Sequence, residues 1–206
     1  MNSNVLIAIV VIVFAADVLW NLYQNKKRDE LLKKFDEYLG KKDYTSFDEL
    51  IDSKQVRQFF PVFNINYLKL NESLIKEDME EIDRAFDSFD MRMNKVQKEA
   101  LYKKGFYYYL GIENKEKTDL YYEQLKQLNI KDQHTLDMMY DIYIAKGYKY
   151  LDEINDKIKN LPQEKQMPFY ALLSDMYRNK GDEEKADEYE KKVSEYTDKL
   201  KEKNVT

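Results

Sequence analysis

Apolar and polar positions divide the chain into one uninterrupted apolar run and a long amphipathic remainder. From Val5 to Tyr23 the sequence reads VLIAIVVIVFAADVLWNLY, and Asn25-Lys26-Lys27-Arg28 closes it. A helix rising about 1.5 Å per residue would carry this run across roughly 28 Å, close to the hydrocarbon thickness of a bilayer. The run therefore predicts a membrane-spanning helix, with Trp20 and Tyr23 at the headgroup boundary. Asp17 is the one acid inside it. Its cost of at most about 3 kcal/mol is outweighed by roughly −5 kcal/mol from the aliphatic and Phe side chains. Beyond Arg28, apolar residues recur every three or four positions. Ala186, Tyr189, Val193, Tyr196 and Leu200 make one stripe, and Ile82, Ala85, Phe86 and Phe89 another; Tyr44, Phe47 and Ile51 predict a short helix. Pro61, Pro162 and Pro168 sit near expected helix starts, where a missing N–H costs nothing. The expected fold class is all-α, with an anchor over residues 1–25 and a helical domain over 26–206.

Five large residues recur at near-constant spacing: Tyr38, Leu74, Tyr108, Tyr143 and Tyr177, separated by 36, 34, 35 and 34 residues. Around two of them the words align, Tyr143-Ile-Ala-Lys-Gly147 with Tyr177-Arg-Asn-Lys-Gly181. Such a period predicts helix pairs that each leave an apolar face to be covered by a neighbour.

A 34-residue, two-helix period resembles the tetratricopeptide repeat. The last unit carries the likeness best: with Tyr177 at position 11 of the repeat, Tyr170, Leu173, Ser174, Gly181 and Ala186 take positions 4, 7, 8, 15 and 20. The other units are degenerate, with Phe35, Asn71 and Tyr140 at the position where a small residue is usual, and with Lys104 where Leu belongs in the unit that keeps Gly105. The resemblance implies a right-handed superhelical array, a solenoid of about five antiparallel helix pairs. It also implies a groove lined by fixed positions of the first helices. Carried over, these positions are Tyr102, Phe106, Tyr109 and Leu110 in the third unit. In the fourth they are His134, Asp137, Asp141 and Ile144, and in the fifth Ala171, Asp175, Arg178 and Asn179. That surface, aromatic in one section and acid-leaning in the next, implies a peptide partner with an apolar anchor and a basic residue.

Composition narrows the function class. Charged residues make up 35% of the chain and there are only five Gly and three Pro, which suits helices with few sharp turns. Cysteine is absent, which removes disulfides, thiolate metal sites and cysteine nucleophiles together. A net charge of −5 argues against nucleic acid as a partner and against a second, surface-lying membrane contact. His134 is the single histidine, so no His-based metal cluster or His-paired nucleophile can be assembled. The acids of Asp78-Met-Glu80-Glu81 and Asp182-Glu183-Glu184 sit at expected helix starts, where they complement the helix dipole. No enzyme activity, cofactor or metal is expected.

The first four residues carry no Lys or Arg and the positive cluster follows the apolar run, the reverse of a signal peptide, so the anchor is expected to stay uncleaved. The positive-inside rule then places the N-terminus outside and the helical domain in the cytoplasm. The plan resembles bacterial membrane-anchored tetratricopeptide adaptors, which implies a single-pass scaffold that recruits or assembles partner proteins. Two alternatives stand beside it. The domain could face outward, as a chaperone-like or structural subunit of an envelope complex. It could also form a homo-oligomer through helices bearing Asp17.

Overall fold

A computed structural model describes residues 3–89 and 92–203, and the side chains of residues 20–89, 92–162 and 164–198. The regular structure of the described residues is all helical, with no strand. The chain divides into two compact units, residues 1–97 and 98–206.

In the first unit, α1 (Ser3–Lys41) runs without a break from the apolar segment into the amphipathic region. It folds back on α2 (Tyr44–Ile51), and a short α3 (Lys54–Phe59) follows before the pair α4 (Val62–Lys76) and α5 (Met79–Asp87). The core gathers Leu31 and Phe35 of α1, Phe47 and Ile51 of α2, and Val56, Phe59 and Phe60 around α3. Phe35, which the tetratricopeptide likeness would put at a small-residue position, is wholly buried and meets Phe47 at 5.0 Å. Ile82 and Phe86 of α5 are buried as its stripe predicts. Phe89, beyond the end of that helix, packs edge-on against Phe63 at 5.4 Å.

The second unit holds three further pairs: α6 (Lys95–Gly111) with α7 (Lys115–Leu128), α8 (Gln133–Tyr143) with α9 (Leu151–Lys159), and α10 (Met167–Lys180) with α11 (Glu183–Lys203). One core cluster joins Phe106, Leu125, Ile130 and Leu136; another joins Met138, Ile142, Ile154, Leu173, Met176 and Ala186. In the last pair Ser174 donates to the carbonyl of Ala186 at 2.9 Å, and both residues are buried. Small residues there let two helix backbones approach closely.

One turn recurs in four of the five pairs. A residue in the left-handed region is followed by Asp or Asn, whose side chain accepts the N–H three residues on: Lys42-Asp43, Glu77-Asp78, Glu113-Asn114 and Gly181-Asp182. The first residue ends the incoming helix and the second caps the outgoing one. Only Gly181 announces this turn in the sequence, since the other three left-handed positions hold Lys or Glu.

Among the described residues no helix is long and apolar enough to cross a membrane. The expected span, Val5 to Tyr23, falls largely on residues whose side chains are not described, and Asp17 lies among them.

Candidate functional site

The last three pairs are held by tyrosines that reach across to acids on neighbouring helices. Tyr140 of α8 donates to Asp119 of α7 at 2.7 Å, while Tyr122 of α7 donates to Asp137 of α8 at 2.8 Å. The two rings stack at 4.2 Å, so the crossed hydrogen bonds form one locked joint. Tyr143 of α8 reaches Asp175 of α10 at 2.9 Å. The hydrogen bond to Asp119, with burial, pushes the Tyr140 hydroxyl up to about 12. Burial first and then the partnering acid raise Tyr122 and Tyr143 as well.

These contacts settle what most of the expected groove residues touch. Asp137 and Asp175 are bonded to tyrosine hydroxyls inside the protein, and Asp137 also accepts from Gln133 at 2.8 Å. Asp141 clamps the loop after α8, where its Oδ2 accepts the Lys149 N–H at 3.2 Å. Asn179 of α10 holds the same loop by donating to the carbonyls of Ile142 and Gly147 at 2.9 and 3.0 Å. Arg178 is turned toward its own pair, 2.8 Å from Glu190. Phe106 and Tyr109 are core residues, 0% and 2% exposed, which corrects their expected place on an open surface. Tyr102 is half-buried, 6.0 Å from the Tyr121 ring. Ala171 is half-buried, and His134 is exposed, with its Nε2 2.8 Å from Glu153.

The misplacement in α6 is a slip of one residue. Tyr109 stacks on Tyr121 with 8° between planes, and Tyr177 stacks on Tyr189 at the same angle. The Asn114 N–H bonds to the Tyr109 carbonyl and the Asp182 N–H to that of Tyr177, each at 2.9 Å. Tyr109 is therefore the equivalent of Tyr177, and Tyr109, Tyr143 and Tyr177 fall 34 residues apart, where Tyr108 had been expected as the third anchor of the series. Spacing alone did not reveal it, because the interval from Leu74 to Tyr143 divides as 34 and 35 residues with Tyr108 and as 35 and 34 with Tyr109.

Moving each expected position of α6 on by one residue brings Tyr107, Leu110 and Gly111 to the front. These three, with Glu113, Lys115, Tyr143, Ile144 and Lys146, line a cleft of about 470 Å³ in the second unit. Such a volume lies within the range of ligand clefts, about 300–1,000 Å³. Leu110 and Ile144, both among the expected groove positions, line this cleft. Tyr107 is 44% exposed and offers an open aromatic face. Lys115 is paired with Asp119 at 2.5 Å, whereas Lys146 forms no ion pair among the described residues. The cleft can receive an apolar side chain, and its rim carries both signs of charge.

The first unit has a polar cleft of about 500 Å³ around Lys69, Glu72, Lys76, Glu81 and Arg84. Its charges answer one another: Lys76 lies 2.8 Å from Glu72 and Lys69 lies 3.1 Å from Asp52. Burial raises the Glu72 carboxyl, and Lys76 partly offsets this. Among the described residues no three His, Cys, Asp or Glu side chains converge as a metal site requires.

Fold and site together define a protein of helical hairpins with an apolar cleft between the ends of α6 and α8. Comparison with protein families, with curated proteins and with solved structures finds no match.

Proposed function

We propose that this chain is a membrane-tethered adaptor. In this reading its helix pairs are degenerate tetratricopeptide-like repeats, Val5 to Tyr23 crosses the bilayer, and the domain that follows holds a partner protein on the cytoplasmic side without catalysis or a cofactor of its own. The observation that carries the reading is the cleft between the ends of α6 and α8, where Tyr107 and Leu110 of one hairpin and Ile144, the equivalent of Leu110 in the next, present apolar surface. An anchor residue buried in such a pocket is the usual source of most of the energy of a peptide contact. The acids that would have drawn a basic side chain are taken up by Tyr122 and Tyr143, so recognition here is apolar first.

The test is photocrosslinking in cells from a photoreactive residue at Tyr107, with Tyr148 as an exposed control. A single adduct from Tyr107 that vanishes with Leu110→Glu and with Ile144→Glu, in chains whose helix content is unchanged, supports the adaptor. Equal labelling from Tyr148, or an adduct that survives both substitutions, rejects the cleft as the binding site.

A further inference from the structure

No linker separates the apolar run from the first hairpin, because α1 is one helix from Ser3 to Lys41. The described end of that run is open: Trp20, Leu22 and Tyr23 are 53%, 60% and 46% exposed. The corner joining α3 to α4 is fastened beside it. Tyr23 meets Phe59 edge-on at 6.1 Å, Arg28 Nε donates to the Phe59 carbonyl at 2.8 Å, and Val62, at the corner's tip, is 73% exposed. Phe60, Pro61 and Asn64 close a cleft of about 360 Å³ against Asn25, Arg28, Asp29 and Leu32. The far end of α4 lies at the other end of the hairpin, where Lys76 sits over the Tyr44 ring at 5.0 Å. So α4 runs the same way as α1, and its start faces the anchor.

Charge follows the same geometry. Residues 23–30 hold Lys26, Lys27 and Arg28 with Asp29 and Glu30, and residues 52–62 hold Lys54 and Arg57 with Asp52, so five cations face three acids. Lys27 pairs with Glu30 at 2.7 Å, while Lys26, Arg28, Lys54 and Arg57 form no ion pair among the described residues. Net acidity of the whole chain therefore conceals a basic end. Arg28 stands five residues beyond Tyr23, which is about 7.5 Å along the helix and about the depth of one headgroup layer.

We propose that the end of α1 and the α3–α4 corner form a second membrane contact, which seats the first unit on anionic lipid headgroups. The proposal rests on the tether reading of Val5 to Tyr23. Trp20, Leu22 and Tyr23 mark the boundary with hydrocarbon, Val62 and Pro61 enter the headgroup layer beside them, and Lys26, Arg28 and Arg57 meet lipid phosphates.

The lack of cysteine makes the test clean. The full chain, carrying Leu22→Cys, Val62→Cys or Met79→Cys, is labelled with an environment-sensitive fluorophore. It is then reconstituted in vesicles of phosphatidylcholine with or without phosphatidylserine that carry a headgroup quencher. Met79, exposed at the start of α5, is the control within the same unit. The expected result is quenching at Val62 about threefold above that at Met79, requiring phosphatidylserine and falling in an Arg28→Gln/Arg57→Gln background. Quenching at Leu22 with Val62 no more quenched than Met79 overturns the second contact and leaves the tether standing. Quenching at none of the three overturns both. Quenching at Val62 that ignores lipid charge overturns the assignment to anionic headgroups.

Discussion

Gly105 inverts the usual effect of replacing a helical glycine by alanine. In an open helix the change gains about 1 kcal/mol. Here an added Cβ would lie 2.7 Å from the Tyr121 ring, which is pinned by its stack on Tyr109. Gly105→Ala is expected to destabilise the protein by about 1–3 kcal/mol in urea denaturation. Tyr140 gives a pH signature. Its hydroxyl is raised from 10.0 to about 12 in the folded chain, so above pH 10 the unfolded state loses its proton first. Its contribution to stability is complete below pH 10 and is lost as pH rises through about 12. Denaturation midpoints should fall across that window, and less steeply in Tyr140→Phe. Among the acids, Glu72 is 4% exposed with Lys76 as its counter-ion. Lys76→Met should cost about 1–2 kcal/mol by leaving that carboxylate without its cation, while Glu72→Gln should cost less.

Among the elements, the repeated turn is the most economical target. Glu113 occupies the left-handed region at φ 57°, as Gly181 does at φ 83°. A side chain there costs about 1 kcal/mol that glycine avoids, so Glu113→Gly should raise the thermal midpoint although it removes no contact. Asp78→Ala should destabilise the protein by about 1 kcal/mol through loss of the cap on Glu81 N–H. The helices themselves were legible in the sequence because their stripes and breaks are local: α2 keeps Phe47 and Ile51 inside, and Pro168 begins α10. The insertion of α3 between α2 and α4 carried no such signal, being six residues with no full amphipathic cycle.

For the whole molecule, the continuity of α1 joins the apolar run directly to the first unit. If Val5 to Tyr23 spans a membrane, carbonate washing should leave the full chain in the pellet and release a chain lacking residues 1–25. Recovery of both in the same fraction would reject the tether. The all-helical class and the division into helix pairs follow from periodicity, from sparse Gly and Pro, and from a 34-residue recurrence; each is a property of neighbouring positions on one helix. The site does not follow from these. A helix turns about 100° per residue, so choosing Tyr108 over Tyr109 as the anchor exchanged cleft and core, putting Phe106 where Tyr107 belongs. Nor can the sequence show that Asp137 and Asp175 are spent on Tyr122 and Tyr143, because those partners lie 15 and 32 residues away and meet only when the hairpins pack. Local periodicity settles which residues are helical and which face is apolar; packing between hairpins settles which side chains remain free to bind.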